Sequence, residues 1–209
     1  MVSKPHGGKL VNRVLEGREK ERRLGEVKEL PKVLVDSDVA VDLENIAHGV
    51  YSPLEGFMLR DEFISVLGSM RLPNDLPWTL PIVFSVEREA SSFREGDEIA
   101  LFYPHDNPIG LLRVEEVYRY SKEDYALKVF KTKDLEHPGV ARIYSLGEFL
   151  VGGKIWLIGR IPNPYERYTL YPAETRILFR EKNWKTIAGF QTRNVPHVGH
   201  EYVQKTALA

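Results

Sequence analysis

The sequence predicts an α+β fold in two parts, and two observations carry this prediction. Over residues 79–120, short apolar runs alternate with turns rich in Gly, Asp, Asn and Pro, which is typical of a small β-barrel or sandwich with helices attached. Residues 186–209 then give an apolar run, a polar turn and a helix start. That order is typical of the ligand-binding edge of an open α/β sheet, so the second part is predicted to be half of a nucleotide site.

Length and composition place the chain among ordinary soluble globular proteins. Its 209 residues allow one large domain, or one domain and a piece of another. The formal net charge of -1 gives no electrostatic argument for binding nucleic acid or a membrane surface. The absence of cysteine excludes disulfides and thiolate metal sites and is compatible with a cytoplasmic protein. We expect neither a signal peptide nor a membrane span, because no apolar run has the required length or flanks.

The first half of the chain is predicted to alternate helices and short strands. Its elements are a charged helix face or loop over 16–23, a strand over 32–35, a helix over 42–49, a helix over 59–70 and a strand over 79–86. Gly49 ends the helix predicted over 42–49. His48 lies in its last turn, where it can bond free carbonyls, so we predict a mostly structural role for this histidine.

The second half is predicted to be richer in strands. Its elements are a strand ending at 103, a loop over 105–110, a strand over 110–120, a helix over 121–130, a turn over 137–140 and two apolar pieces about a turn at 152–153. Ser121 caps the helix. Pro138 prevents the turn at 137–140 from continuing a helix.

A proline-rich stretch over residues 161–172 is the best candidate for a linker, because it shows no clear period. A helix follows over 173–182, with Pro172 at its start and Glu174 in its first turn. We therefore predict one domain over residues 1–170 and the beginning of another over residues 171–209.

The closing stretch is predicted to be a buried strand over 186–190, a polar turn over 191–194 and a helix opened by Pro196. At 100° per residue, one side of this helix carries His197, His200, Glu201 and Gln204. The opposite side carries Val198, Tyr202, Val203 and Thr206. Both histidines therefore share a polar face over the helix start.

These residue types suit transfer at phosphorus. Backbone N–H groups at a helix start meet phosphate oxygens, and Arg193 offers a planar fork for a tetrahedral oxyanion. Thr192 and Asn194 offer neutral hydrogen bonds, and the histidines can donate to phosphates. If the substrate supplies the nucleophile, catalysis reduces to positioning and charge stabilisation.

Other interpretations fit the same residues. His197 and His200 at i, i+3 could be half of a metal site, but zinc helices favour i, i+4 with a Glu between, and no third ligand is evident. We therefore predict no metal ligands on the chain. Both histidines could equally be structural, and Arg193 could form a surface ion pair.

The motif Gln191-Thr-Arg-Asn-Val-Pro-His197-Val-Gly-His200-Glu201 resembles the signature of the ATP sulfurylase family. Further landmarks similar to that family's N-terminal half occur in the same order over residues 5–8, 49–58, 78–82, 137–140 and 152–153. One departure is that many members have proline directly after the asparagine, where this chain has Val195 before Pro196. The resemblance spans nearly the whole chain.

The resemblance implies a PUA-like β-barrel domain with added helices, followed by the first strand, turn and helix of a Rossmann-like α/β nucleotidyltransferase domain. It implies that ATP and sulfate react to give adenosine 5′-phosphosulfate and pyrophosphate, by in-line attack of sulfate on the α-phosphate. Magnesium would accompany the ATP, and no covalent enzyme intermediate is expected. The full-length protein would be a cytoplasmic homodimer.

Site residues are also implied by the resemblance. Gln191 and Arg193 would contact sulfate, and the catalytic positions would be Thr192, Arg193 and Asn194. ATP would meet the same four residues of the turn together with His197 and His200, which would brace the phosphates.

The family's catalytic domain is longer than residues 171–209, so we expect this chain to be truncated and inactive alone. Two rival interpretations remain at this point. PUA-like folds occur in RNA-binding proteins, although near-neutral charge and the lack of a basic, aromatic-interleaved stripe make a nucleic-acid partner unlikely. The N-terminal part could instead be purely structural, supporting a catalytic domain and a dimer interface.

Overall fold

A seven-stranded sheet with helices around it forms the larger part of the protein. The structure, a computed structural model, describes residues 3–87, 92–104 and 106–208. Its strands are β1 (Lys32–Leu34), β2 (Gly56–Phe57), β3 (Ser85–Val86), β4 (Glu98–Tyr103), β5 (Asn107–Arg113), β6 (Glu116–Arg119) and β7 (Phe149–Leu157). Its α-helices are α1 (Gly17–Glu26), α2 (Ser37–Ala47), α3 (Arg60–Ser69), α4 (Lys122–Phe130), α5 (Pro138–Ser145), α6 (Pro172–Glu181) and α7 (Val198–Leu208). The α+β class is confirmed.

The long strand β7 is the centre of the sheet. The strand order is β1-β4-β5-β7-β2, and β3 and β6 also pair with β7. The first half of β7 pairs with β3 and β6, and its second half pairs with β2 and β5. Among the described residues no ladder joins β1 to β2, so the sheet is a curled, open half-barrel.

The glycine pair at 152–153 lies inside β7, where a turn was predicted. Gly153 has φ of 151°, and a Cβ there would lie 2.0 Å from the carbonyl oxygen of Arg113. A Cβ at Gly152 would lie 2.6 Å from the carbonyl oxygen of Met58. The predicted turn is therefore wrong: glycine occurs here because neighbouring backbones approach β7 too closely for a side chain.

The two largest hydrophobic clusters pack helices on the sheet. The larger one packs α2 on the sheet through Leu43 and Ile46, which are both completely buried. The second holds α3, α4 and α5 on the first half of β7, and Phe63 meets Tyr125 edge-on at its centre. Burial of one such aromatic or aliphatic side chain stabilises the fold by about 1.5 to 3 kcal/mol.

Several predicted elements are corrected in length or type. The strand predicted over 110–120 is two strands, because β5 and β6 pair with different halves of β7. The strand predicted over 79–86 is reduced to β3. The predicted turn at 137–140 is the start of α5. Proline is tolerated at the first position of a helix, because the N–H that it lacks would have no partner within the helix. In the predicted loop 105–110, His105 lies outside the described residues.

The closing part of the chain contains α6, as predicted, but no strand over 186–190. A strand needs a neighbour, and no described residue pairs with this run, whose Ile187 and Phe190 are 46% and 44% exposed. The prediction of a buried strand here is therefore wrong. From Gly159 to Leu208, all of which the structure describes, no residue is buried.

No helix in the described part of the chain has the length and apolar character needed to cross a membrane.

Candidate active site

The turn before α7 is built around the hydroxyl of Thr192. Its Oγ1 accepts the N–H of Asn194 at 3.1 Å and donates to the carbonyl oxygen of Asn194 at 3.4 Å. The same oxygen lies 3.3 Å from Nε2 of His200. Threonine commonly stabilises a tight turn in this way, and here it also ties the turn to the following helix.

His197 is the residue that caps α7. Its carbonyl oxygen accepts the N–H groups of His200 at 2.8 Å and Glu201 at 3.1 Å, and its Nδ1 accepts the N–H of Gly199 at 3.1 Å. His200 returns the contact, because its Nδ1 accepts the N–H of His197 at 3.2 Å. This reciprocal arrangement has the form of a capping box. The helix begins at Val198 rather than at Pro196, so His197 precedes the first turn instead of lying on it.

These contacts fix the tautomers of both histidines when they are neutral. A backbone N–H can only donate, so Nδ1 of each ring is the acceptor and Nε2 carries the hydrogen. His200 then donates from Nε2 to Thr192. His197 keeps its Nε2–H for a ligand, and the two ring centroids lie 4.0 Å apart.

The helix start offers fewer free N–H groups than expected. The N–H groups of Gly199, His200 and Glu201 all have partners on His197. The Gly199 N–H is held by the imidazole of His197, so a phosphate that used this N–H would have to displace that ring.

The structure brings together four of the six predicted site residues: Thr192, Asn194, His197 and His200 share one hydrogen-bond network. Gln191 and Arg193 are exposed beside it, and within the described residues neither side chain has a hydrogen bond or ion pair. The alternative in which Arg193 forms a surface ion pair is thus not supported. The Arg193 guanidinium can turn toward an anion without first breaking another contact.

The described residues include no group of three or more His, Asp or Glu side chains arranged to hold a metal ion. Residues 191–208, all of which the structure describes, contain one carboxylate, that of Glu201, which pairs with Lys205 at 2.5 Å. The donors present are amides, a hydroxyl, imidazoles and a guanidinium, which suit an oxyanion better than a hard cation.

A second cluster, which no sequence pattern indicated, lies at the junction of the linker with α2. The ring of Tyr171 stacks on that of His48, and its hydroxyl donates to Oε1 of Glu44 at 2.9 Å. Burial lowers the pKa of His48, opposed by the nearby carboxylates of Glu44 and Glu174. His48 therefore has the structural role predicted for it, through a ring contact rather than through free carbonyls.

Two cavities of about 510 and about 420 Å³ flank this stacked pair. Both are lined by Val14, Glu16, His48, Tyr171 and Glu174. The stacked rings thus line both cavities, and their contact joins the linker to the sheet domain. Because the ring partners are far apart in sequence, no local pattern could have revealed them.

Comparison with known families divides the chain between residues 160 and 166. Residues 3–160 match a family described as PUA-like domain, and residues 166–209 match one described as ATP-sulfurylase.

Curated relatives match along the whole chain. A sulfate adenylyltransferase of Pyrococcus abyssi is 61% identical over 208 residues, covering 100% of this chain and 54% of the relative. That of Ignicoccus hospitalis is 56% identical, covering 100% of this chain and 54% of the relative. That of Trichodesmium erythraeum is 44% identical, covering 97% of this chain and 53% of the relative. The chain thus spans about half the length of the curated relatives it matches.

One solved structure is also similar. It is described as a hexameric APS kinase from Thiobacillus denitrificans, with a TM-score of 0.76 and 25% sequence identity. The match covers 98% of this chain and 37% of that chain.

Proposed function

We propose that this chain, which belongs to the PUA-like domain family over residues 3–160, is part of a sulfate adenylyltransferase and supplies one wall of an active site that joins ATP and sulfate. The observation that carries this proposal is the network of Thr192, Asn194, His197 and His200, with Arg193 unpaired beside it. It lies within the segment that matches ATP-sulfurylase.

The reaction is a transfer of the adenylyl group. A sulfate oxygen attacks the α-phosphorus of ATP in line, and a new S–O–P bridge forms. The bond from the α-phosphorus to the oxygen bridging the β-phosphorus breaks, and pyrophosphate leaves with that oxygen. Sulfate is the nucleophile, so no protein side chain needs to form a covalent intermediate.

The residues of the turn divide this work. Gln191 and Arg193 bind sulfate, which suits an exposed amide and a guanidinium fork. Thr192, Arg193 and Asn194 are the catalytic residues, where negative charge must be stabilised as the α-phosphate is attacked.

The nucleotide is bound by the turn residues Gln191, Thr192, Arg193 and Asn194 and by both histidines. His197 has an Nε2–H free to donate to a phosphate oxygen, which supports this role. His200 holds Thr192 in place while it braces the same phosphates.

Magnesium accompanies the nucleotide in this proposal. The site residues do not fit a protein-held Mg²⁺ site, because that ion prefers carboxylate and phosphate oxygens and the network contains no free carboxylate. The ion would therefore be carried on the phosphates of ATP.

The domain division of 1–170 and 171–209 belongs to this proposal, and the family matches over 3–160 and 166–209 support it. Residues 171–209 would begin a Rossmann-like α/β nucleotidyltransferase domain, in which further strands pair with the apolar run 186–190. The full-length enzyme would be a cytoplasmic homodimer, and the chain of residues 1–209 would be inactive alone.

The test uses a chimera in which residues 1–209 are joined to the carboxyl-terminal part of the Pyrococcus abyssi relative, the part outside the match. We expect it to form pyrophosphate from ATP only when sulfate is present. Arg193→Lys keeps the charge but loses the fork, and should lower kcat/KM by about 10²-fold or more. The control Arg180→Lys lies on the exposed side of α6 and should change it less than about 2-fold. Sulfate-independent turnover, or equal effects of the two substitutions, would contradict the proposal.

A further inference from the structure

Strands β1 and β3 lie on the two sides of a groove that no ladder closes. Among the described strands, β1 pairs with β4 alone and β3 pairs with β7 alone. Two cavities of about 460 and about 300 Å³ lie between them, and both are lined by Leu34, Phe84, Ser85 and Ser145. Because the cavities share these residues, they adjoin each other. We call the two cavities together the seam groove.

The two sides of the seam groove run in opposite directions. Strand β1 is parallel to β4, and antiparallel ladders then join β4 to β5, β5 to β7 and β7 to β3. An extended segment laid between β1 and β3 can therefore pair with both, antiparallel to one strand and parallel to the other.

Backbone hydrogen-bonding groups are unpaired on both sides of the groove. The N–H of Val35 donates to β4, so the neighbouring Leu34 directs its own N–H and C=O to the opposite edge of β1. The carbonyl oxygen of Phe84 accepts from β7, so Ser85 directs its N–H and C=O away from β7. In the described part of the chain, no partner bonds to these four groups. Free groups of this kind are a template for another strand.

The larger cavity of the seam groove has an apolar lining. Apolar side chains from α2, the segment before β3, α4 and α5 line it: Val39, Val83, Val129, Ile143 and Leu146. Leu34 and Leu80 also line it and are 71% and 53% exposed. An extended peptide places alternate side chains on opposite faces, so one of its faces can bury an apolar side chain in this cavity.

Negative charge is in excess at both ends of the groove. The lining carboxylates are Asp36, Asp38 and Asp42 in the larger cavity and Glu87 in the smaller one. The one Lys or Arg side chain among the described lining residues, Arg142, donates to Asp36 at 2.6 Å and lies 3.0 Å from Asp38. Burial raises the pKa of Asp42 to about 6, and repulsion from Asp38 and Asp36 adds to this effect. A basic ligand would relieve this repulsion.

We propose that the seam groove binds an extended peptide of a partner protein, which adds a strand between β1 and β3, buries an apolar side chain in the larger cavity and places a basic side chain near each end. The added strand gives partners to the free backbone groups of Leu34 and Ser85 and continues the half-barrel across its open side. The proposal does not rest on the turn before α7 or on the proposed function.

Charge favours a basic partner over a second copy of this chain. A second copy that docked through its own β1 would bring its Asp36 and Asp38 into a groove that already has an excess of carboxylates. Like charges placed together across an interface oppose association.

The first experiment measures binding of a labelled hexapeptide, Lys-Val-Thr-Val-Thr-Lys, to residues 1–209 by fluorescence anisotropy at low salt. We expect saturable binding. The same peptide with Glu in place of both Lys residues should bind at least about 10-fold more weakly, because the groove is acidic. The Lys peptide with N-methyl groups on its inner amides keeps its side chains but loses its backbone donors, and should also bind at least about 10-fold more weakly.

The second experiment removes single N–H groups from the groove. Leu34→Pro removes the N–H that faces the groove, while Val33 and Val35 keep those that face β4. Proline is tolerated at such an edge position, so the variant should fold, and it should bind the Lys peptide at least about 10-fold more weakly. The matched control Leu34→Val keeps the N–H and should change binding less than about 3-fold. Ser85→Pro and its control Ser85→Thr make the same comparison on β3.

Asp38→Asn tests the charge in a variant that leaves every strand unchanged, because Asp38 lies on α2. It should weaken binding of the Lys peptide about 3-fold or more and leave that of the Glu peptide within about 2-fold. Circular dichroism confirms that each variant is folded before its affinity is compared.

Three results would overturn the proposal. The first is the absence of saturable binding of the Lys peptide. The second is equal binding by each proline variant and its control, or of the Lys and Glu peptides. The third is a dimer of residues 1–209 that Leu34→Pro dissociates, which would assign the seam groove to a second copy of the chain.

Discussion

The ring of Tyr171 lies on the ring of His48, with centroids 3.5 Å apart and planes inclined by 6°. The contact joins the last residue before α6 to the residue that ends α2. Tyr171 thus attaches the linker to the sheet domain in two ways. Its ring stacks on His48, and its hydroxyl donates to the carboxylate of Glu44. Tyr171 therefore helps to position α6 relative to the sheet, together with Arg176 of α6, which donates to the carbonyl oxygen of Ser3.

Two substitutions of this tyrosine separate the ring contact from the hydrogen bond. Tyr171→Phe keeps the stack and loses the bond to Glu44, which should raise hydrogen exchange at Tyr168 and Thr169 about 5-fold, equivalent to about 1 kcal/mol. Tyr171→Leu loses both contacts and should raise exchange about 30-fold. The control Tyr168→Leu removes an exposed ring from the same linker and should change neighbouring amides less than about 2-fold. Equal effects of the two leucine substitutions would show that the stack does not hold the linker.

Asp42 should make stability depend on pH. Burial raises the pKa of its carboxyl to about 6, although the Tyr51 hydroxyl donates to Oδ1 at 3.2 Å and opposes the shift. The folded protein binds this proton more tightly than the unfolded chain does. The stabilisation from the proton is therefore fully present below about pH 4 and is lost as pH rises through about 6.

Asp42→Asn removes this titration and keeps an oxygen that accepts from Tyr51. We expect the variant to gain about 1 to 2 kcal/mol over the parent between about pH 4 and about pH 7.5, as measured by urea unfolding. Tyr51→Phe removes a contact that lowers the pKa, so it should move the loss of stability to higher pH. A difference between Asp42→Asn and the parent that does not vary with pH would refute the assignment.

Gly56 should tolerate no side chain. A Cβ there would lie 1.8 Å from the carbonyl oxygen of Gly153, in the ladder that joins β2 to β7. Gly56→Ala should lower the free energy of unfolding by about 3 kcal/mol, because one of the two backbones must move. The control Gly25→Ala adds a methyl to α1 where nothing lies within 4 Å, and should be neutral or stabilise by up to about 1 kcal/mol. Thermal unfolding of both variants is the measurement.

His197 caps α7 through its Nδ1 and has a free Nε2–H donor, and substitution by Asn separates these two roles. In His197→Asn the side-chain oxygen can still accept from Gly199, so the circular dichroism of α7 should be unchanged. His197→Leu loses the cap and should destabilise the helix by about 1 kcal/mol. Both variants lose the free Nε2–H and should lower activity of the chimera. Normal activity in His197→Asn would leave His197 with a capping role alone.

Elements with local signals were predicted well from the sequence. The Ser121 hydroxyl accepts from Asp124 at the start of α4, and Pro172 occupies the first turn of α6, both as predicted. The missed helix α5 begins after His137, whose ring nitrogen caps it. Histidine is not among the preferred capping residues, so the sequence pattern indicated a turn instead.

Features that depend on distant neighbours were not predictable. The glycines at 152–153 are required by the backbones of Arg113 and Met58, which come from other parts of the chain. The run 186–190 is apolar enough for a buried strand, but a strand forms only beside a partner.

The candidate site was predicted in part. Helical spacing brought His197 and His200 together, as the structure shows. The spacing could not show that His197 would cap the helix with its own Nδ1, because this depends on the helix beginning two residues later than predicted.

Strand β7 sets the order in which the protein can be made. It is the last of the seven strands in the described part of the chain, and β2, β3, β5 and β6 all pair with it. On the ribosome, these four ladders must wait until residues 149–157 have left the exit tunnel. Until then the growing chain carries unpaired strand edges, which are a hazard for aggregation. A nascent chain stalled before Phe149 should bind chaperones, and one stalled well beyond Leu157 should release them.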